Sequence, residues 1–137
     1  MTDRMTREQR SDLMSRIRSK NTAPEIALRH SLRRLGVRYR SYRRIAGATV
    51  DIVLLGRRTV IFAHGCFWHG CPKHFQAPKS KAAFWKRKIA INRARDLRQV
   101  SALKRMGWRV LVIWEHDLQK DPHRVVARRL QRHLREG

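Results

Sequence analysis

The segment VDIVLLGRRTVIFAH, residues 50–64, contains two runs of branched apolar residues separated by a short polar turn. Runs of this length and composition are typical of neighbouring β-strands. The segment therefore predicts a hairpin with strands over residues 49–55 and 59–64, joined around Gly56. A further strand over residues 37–42 precedes it.

A helix is predicted before this hairpin. Thr22 can cap its N-terminus, Pro24 suits its first turn, and Gly36 supplies the stop. Glu25 lies three residues after Thr22 and completes a capping box, which would explain this acid without a catalytic role.

A long helix from Ser80 to about Met106 follows the hairpin, and a strand over residues 108–114 comes next. Asp121-Pro122 begins a final basic helix. A helix that links two strands implies a crossover connection, so the sheet is expected to be mixed, with helices packed on it. We expect one α/β domain over residues 21–137.

The first 20 residues are expected to form a basic N-terminal arm with a helix over residues 6–18. This helix either orders on DNA or docks on the core as a solvated amphipathic helix. Its apolar stripe includes Met14.

The charge of the chain points to a polyanionic partner. Its 137 residues contain 33 Lys and Arg against 10 Asp and Glu, which gives a formal charge of +23, and 25 of the basic residues are Arg. Arginine suits bidentate contacts to phosphate and guanine, so nucleic acid is favoured over a membrane surface. The sequence contains no apolar run of membrane-spanning length and no signal segment, so a cytoplasmic protein is expected.

Asp51 lies within the first apolar run, where an unpaired carboxylate would be costly. It could pair with one of the many arginines. A two-residue turn at Gly56-Arg57 would instead place Asp51 and His64 on one face as diagonal neighbours, whereas a turn one residue longer would separate them. A carboxylate and an imidazole beside abundant positive charge favour a hydrolytic Mg²⁺ centre.

Residues 63–74, AHGCFWHGCPKH, contain three His and two Cys. Cys66, Cys71 and His74 offer three ligands at spacings that a tetrahedral Zn²⁺ can close. The fourth could be His69, or His116 just beyond the last strand. The alternative is two free thiols beside surface histidines.

Polar residues interrupt one face of the long helix. Asn92 and Asp96 recur at helical spacing with Trp85, Ile89 and Leu103, so they need partners. For Asp96, a local pair with Arg93 is the simplest explanation.

Several segments together resemble one known family. They are NTAPE (21–25), VDIV (50–53), VIFAHGCFWHGC (60–71), FW (84–85), NRARD (92–96), GWRV (107–110) and VIWE (112–115). The chain is similar along nearly its whole length to the very short patch repair (Vsr) DNA mismatch endonucleases.

This resemblance implies a restriction-endonuclease-like α/β fold of the PD-(D/E)xK type with a structural zinc. It also implies Mg²⁺-dependent incision of one strand of duplex DNA, 5′ to the mispaired thymine of a T·G mismatch. Asp51 would hold Mg²⁺ together with the backbone carbonyl of Ala63, which stands where Thr is familiar. His64 and His69 would be the active-site histidines.

The resemblance assigns further positions. Glu25 and Asp96 would be supporting acids at the catalytic centre. Zinc maps to two thiols and two imidazoles, those of Cys66, Cys71, His74 and His116. DNA contact maps to three aromatic residues that wedge into the duplex and to one apolar residue of the arm, namely Phe67, Trp68, Trp85 and Met14. We further expect a nucleoid-associated monomer that can act with mismatch-repair proteins.

Two other functions are compatible with parts of the pattern. A non-catalytic zinc-containing module that binds nucleic acid would explain the charge and the Cys/His cluster, but not Asp51. A nuclease of the same fold with another DNA specificity would explain Asp51, but not the adjacent aromatics.

Overall fold

The structure, a computed structural model, describes residues 22–73 and 75–135. The helices are α1 (Ala23–Arg34), α2 (Ala82–Arg105) and α3 (Pro122–Arg135), and the strands are β1 (Tyr39–Ile45), β2 (Ala48–Leu54), β3 (Thr59–His64) and β4 (Arg109–Trp114). One 3₁₀ turn, Glu115–Leu118, follows β4. The N-terminal arm, including Met14 and the helix predicted there, lies outside the described residues.

The four strands form one mixed sheet in the order β1-β2-β3-β4. β1, β2 and β3 are successively antiparallel, and β3 pairs parallel with β4 through the crossover helix α2. The prediction of a mixed sheet with helices packed on it is confirmed.

The predicted register of the hairpin is also found, although its turn is longer. Residues 55–58 connect β2 to β3, and Leu54 pairs with Thr59 while Ile52 pairs with Ile61. The connection is one residue longer on each side than the predicted turn, so the register does not change. Asp51 therefore stands opposite Phe62.

Hydrophobic residues cover both faces of the sheet. On one face α1 and α3 pack against the inner strands through residues such as Leu28, Val126 and Ile61. On the other face Leu103 of α2 packs with Val60 of β3. Because β3 is buried on both sides, its sequence is continuously apolar rather than alternating.

Two predicted helix caps are wrong. Thr22 precedes α1 with extended dihedral angles but makes no side-chain capping hydrogen bond, and the buried carboxylate of Glu25 accepts a hydrogen bond from the Tyr42 hydroxyl. At α2 the residue before the helix is Lys81, with a φ of 59° and no side-chain cap, so Ser80 does not cap. At α3 the backbone N–H of Arg124 donates to Asp121 Oδ1 at 3.3 Å, as the Asp-Pro start predicts.

Within the described residues, none of the helices has both the length and the apolar character needed to cross a membrane.

Candidate active site

One cavity of about 750 Å³ brings five of the predicted site residues together. It lies where α1, the β2–β3 hairpin, the loop after β3 and α2 meet. These five are the predicted catalytic residues. They are Glu25 of α1, Asp51 of β2, His64 at the end of β3, His69 of the following loop and Asp96 of α2. Phe67 and Trp68 also line this cavity.

Asp51 is held at the inner end of the hairpin. Its Oδ2 accepts a hydrogen bond from the backbone N–H of Ala63 at 2.8 Å. Burial is the main cause that raises the pKa of Asp51 to about 7. The neighbouring carboxylate of Glu25 acts in the same direction, while the Ala63 N–H and the charge of Arg29 oppose the increase. The hydrogen bond from a backbone amide argues against Asp51 as half of a buried arginine pair. A carboxylate this hard to ionise is a suitable ligand for a divalent cation, which would compensate its charge.

Glu25 is only 4% exposed although it lies in the first turn of α1. The hydroxyl of Tyr42 donates a hydrogen bond to Glu25 Oε2, and Arg29 Nη1 lies 3.7 Å from the same oxygen. Glu25 therefore belongs to the cavity, and the capping-box explanation of this acid is wrong.

His69 and Asp96 form a hydrogen-bonded pair. His69 Nδ1 lies 2.6 Å from Asp96 Oδ2, whereas Arg95 Nη2 is 3.7 Å from the other oxygen. The predicted local pair of Asp96 with Arg93 is replaced by this contact. Although burial opposes it, the hydrogen bond and charge of His69 hold the pKa of Asp96 below its usual value. An ionised Asp96 orients the imidazole and fixes the proton on Nδ1.

His64 stacks flat on His69, with ring centroids 3.9 Å apart and an interplanar angle of 1°. Burial, followed by the charge of His69, lowers the pKa of His64 to about 3, so His64 is neutral at physiological pH. The ligand atoms of His64, His69 and Asp96 lie within 4.8 Å of one another. A metal bound by both rings would lie in both ring planes, and these parallel planes do not meet. The geometry of these three residues therefore favours acid–base catalysis over coordination of a metal ion.

Two thiols and one imidazole form a second cluster. Cys66 Sγ lies 3.3 Å and Cys71 Sγ 3.5 Å from His116 Nδ1, and the two cysteines are not joined by a disulfide. Burial is the main cause that raises the pKa of the Cys66 thiol to about 11, and the nearby Cys71 acts in the same direction. Two sulfurs and a nitrogen at this separation match three of the four donors that a tetrahedral zinc site requires.

His116 belongs to the 3₁₀ turn after β4, so this thiol–imidazole cluster ties the loop to the sheet. His69, the other candidate for a fourth ligand, is paired with Asp96 instead. His74 lies outside the described residues, so its assignment to zinc stays a prediction.

The loop between the two cysteines is compact. Cys71 N donates to Cys66 O at 2.9 Å, and His69 N donates to Gly65 O at 3.2 Å. At Gly70, which has a φ of 62°, an added Cβ would lie 2.5 Å from Ile89 Cγ2, so only glycine allows this close approach to α2.

The three aromatics expected to contact DNA form one half-buried cluster. The ring of Phe67 lies 5.1 Å from that of Trp68 and 5.3 Å from that of Trp85, and the tryptophans are 6.0 Å apart. Lys88 Nζ is 5.9 Å from both indoles. The Trp68 carbonyl accepts from Asn92 Nδ2 at 2.9 Å, which gives the buried Asn92 its partner.

Sequence reasoning missed three cavity residues. Tyr42 and Arg95 carried no recognisable signal, because one lies in a polar strand and the other in a long basic helix. Glu115 Oε1 accepts from Cys66 N at 3.1 Å. An acid directly after a buried strand and beside a candidate zinc ligand was a signal that could have identified Glu115.

Comparison with known proteins identifies the family of this chain. The family described as DNA mismatch endonuclease Vsr matches residues 2–75. The type II nicking enzyme V.XorIIP of Xanthomonas oryzae pv. oryzae is 50% identical over 119 residues, which are 86% of this chain and 88% of the relative. The DNA mismatch endonuclease Vsr of Escherichia coli strain K12 is 38% identical over 116 residues, 84% of this chain and 74% of that protein.

A solved structure, the catalytic domain of the homing endonuclease I-Bth0305I, superposes with a TM-score of 0.56 over 82% of this chain and 94% of that chain, at 23% identity. It supports the fold. The matched residues and the coverage of both relatives confirm the resemblance found in the sequence. The chain belongs to the DNA mismatch endonuclease Vsr family and is a DNA endonuclease.

Proposed function

We propose that this endonuclease nicks one strand of duplex DNA, 5′ to the mispaired thymine of a T·G mismatch, by Mg²⁺-dependent hydrolysis that initiates very short patch repair. The observation that carries the proposal is the shared cavity. Acids and histidines suited to phosphodiester hydrolysis line the same space as Phe67 and Trp68 of the aromatic cluster.

The acids on the α1 side fit a hard divalent cation. Asp51 is half-buried, ionises only near pH 7 without an added positive charge, and lies beside the buried Glu25. We assign Asp51 and the backbone carbonyl of Ala63 as Mg²⁺ ligands, with Glu25 in support. When bound, Mg²⁺ supplies positive charge that stabilises the phosphate and the leaving 3′ oxygen.

The two histidines of the cavity have different roles, proton transfer for one and positioning for the other. His69 donates from Nδ1 to Asp96, which leaves Nε2 to take a proton from the attacking water. His64 is neutral at physiological pH and positions water or a phosphate oxygen through a hydrogen bond.

The aromatic cluster supplies mismatch selectivity in this proposal. A T·G pair is less firmly stacked than its neighbours, so insertion of Phe67, Trp68 and Trp85 costs less there than at a paired step. Met14 of the N-terminal arm is assigned to the same DNA contact. The strongly positive chain binds the phosphates without regard to sequence.

Zinc is assigned to the thiol–imidazole cluster with a structural role. The donor set of Cys66, Cys71 and His116 is soft and joins the aromatic loop to the end of β4. His74 is proposed as the fourth ligand. The proposed setting is the bacterial cytoplasm at the nucleoid, as a monomer acting with mismatch-repair proteins.

End-labelled duplexes carrying each mismatch, and one fully paired control, test the function in buffers with and without Mg²⁺. We expect a single cut 5′ to the thymine of T·G, only with Mg²⁺. Equal cutting of the paired duplex would favour a nuclease of another specificity. Binding without any cutting of the panel would favour a non-catalytic module.

A further inference from the structure

Tyr42 has an unusual backbone conformation in the middle of β1. Its φ is 54°, a left-handed value that is disfavoured for a bulky L-residue. The residues immediately before and after Tyr42 both pair with β2, as Ser41–Ile52 and Arg43–Val50. Tyr42 therefore stands opposite Asp51. Such conformations persist where the surrounding contacts hold them, and they concentrate at functional sites.

The contacts of the Tyr42 side chain explain what this conformation achieves. The phenol hydroxyl donates to Glu25 Oε2 and accepts a hydrogen bond from Arg29 Nη1 at 3.1 Å. The guanidinium carbon of Arg29 lies 5.8 Å from the centre of the same ring. Tyr42 thus bridges β1 to two residues of α1, one of them a buried carboxylate.

We propose that Tyr42 is a positioning residue for the nicking reaction. Its left-handed backbone directs the phenol to α1, and the hydroxyl fixes the carboxylate of Glu25 beside Asp51. The role of Tyr42 rests on the proposed function, because that function places Glu25 and Asp51 in the catalytic site.

Tyr39 provides a matched control on the same strand. Its hydroxyl accepts a hydrogen bond from Arg33 Nε at 3.1 Å, and this exposed pair also links β1 to α1. Tyr39→Phe therefore removes the same atom and a comparable hydrogen bond, but it does not touch the cavity.

The test compares single-turnover nicking rates of the wild type, Tyr42→Phe, Tyr39→Phe, Glu25→Ala and the double variant Tyr42→Phe/Glu25→Ala on whichever duplex the wild type cuts. We expect Tyr42→Phe to be slower by about tenfold or more, the usual effect of removing a group that orients a metal-site residue. Tyr39→Phe should match the wild type. The double variant should be no slower than Glu25→Ala, because Tyr42 acts through Glu25.

Two further readouts separate positioning from stability. The dissociation constant of Tyr42→Phe for the duplex should be unchanged, and urea unfolding in Mg²⁺-free buffer should show coupling between Tyr42 and Glu25. Tyr42→Asn tolerates the left-handed backbone but lacks the phenol, so it should reproduce the rate loss if Tyr42→Phe folds poorly.

Additive effects of Tyr42→Phe and Glu25→Ala on the rate would overturn the inference, as would Tyr42→Phe cutting at the wild-type rate while Glu25→Ala is slow. If Glu25→Ala cuts normally, the catalytic assignment of Glu25 fails and the inference fails with it. A wild type that cuts a duplex without T·G changes the proposed specificity but leaves this test intact.

Discussion

Two regions of the molecule offer different kinds of metal-ligand atoms. One is the pair of carboxylates in the cavity near α1, and the other is the thiol–imidazole cluster at the base of the loop after β3. Glu25 and Asp51 offer hard oxygens, and the partial removal of Asp51 from water is the main cause that raises its pKa to about 7. Cys66, Cys71 and His116 offer soft sulfur and nitrogen, and they join a loop to the end of a strand. Donor type distinguishes a site suited to phosphate chemistry from one suited to stabilising the fold.

The two regions are linked by the chain between the cysteines. Residues 67–70 carry the aromatics Phe67 and Trp68 and the histidine His69, all of which line the cavity. The hydrogen bonds of this loop run from Cys71 back to Cys66 and from His69 back to Gly65. The thiol–imidazole cluster therefore holds residues that the carboxylate region needs in place.

The largest effect is expected from Asp51→Asn. The change preserves volume and the hydrogen bond from Ala63 N–H but removes the charge of the assigned Mg²⁺ ligand, so nicking should fall by about a thousandfold or more. DNA binding should stay close to that of the wild type. Single-turnover nicking and a binding titration check this prediction.

Asp121→Asn is the matched control, because Asp121 caps α3 at an exposed position. It should cut normally. Near-normal Mg²⁺-dependent turnover by Asp51→Asn would show that Asp51 is not the Mg²⁺ ligand. The carboxylates would then no longer differ from the thiol–imidazole cluster in having a catalytic role.

Cys71→Ser should mainly affect folding. Loss of a zinc ligand removes binding energy that contributes directly to the folded state, so we expect loss of zinc and a destabilisation of several kcal/mol. Elemental analysis and urea unfolding measure both. A purified wild type that contains no zinc, yet folds and cuts, would show that the thiols serve only as apolar core.

Much of the fold was predictable because its signals are local. The apolar runs on either side of Gly56 define the hairpin, and their register survives a longer turn because the extra residues divide equally between the two sides. Glu25 shows the opposite case. Its sequence position satisfies a capping rule, and only the approach of Tyr42 from β1 shows that its carboxylate is buried elsewhere.

The candidate site shows the same difference between local sequence signals and contacts made by distant segments. Asp51 and the Cys/His segment stand out because their chemistry conflicts with their surroundings. The stacking of His64 on His69 depends on how the loop after β3 folds back on the strand. The pairing of His69 with Asp96 depends on how α2 crosses the sheet, and these two residues are 27 apart along the chain. Sequence spacing alone does not determine such contacts.

A smaller effect should appear in the pH dependence of stability. The folded state retains the proton of Asp51 up to about pH 7, whereas the unfolded chain releases it near the ordinary aspartate pKa of 3.8. The contribution of Asp51 to stability therefore falls as the pH rises from about 4 to about 7. Asp51→Asn does not ionise, so it should become more stable than the wild type across this range, by about 2 to 4 kcal/mol above pH 7.

Urea unfolding of both proteins in Mg²⁺-free buffer at several pH values measures this difference. His64 and Asp96 titrate in both proteins, so their contributions cancel. Added Mg²⁺ should reduce the gap at pH 8, because it binds the ionised carboxylate of the wild type alone. A gap that does not change with pH would show that folding does not raise the pKa of Asp51.

The smallest effect is expected from Trp68→Ala, which tests whether the loop held by the thiols also reads DNA. Stacking of an aromatic on a base contributes about 1 to 3 kcal/mol, so affinity and cleavage should fall by about tenfold or more on a T·G duplex. Binding to a T·A duplex relies on phosphates and should hardly change. Trp108 contacts Arg58 and does not line the cavity, so Trp108→Ala reports general destabilisation and should affect both duplexes equally. If Trp68→Ala behaves like Trp108→Ala, Trp68 serves the packing of the loop and the aromatic cluster loses its assigned role in mismatch selection.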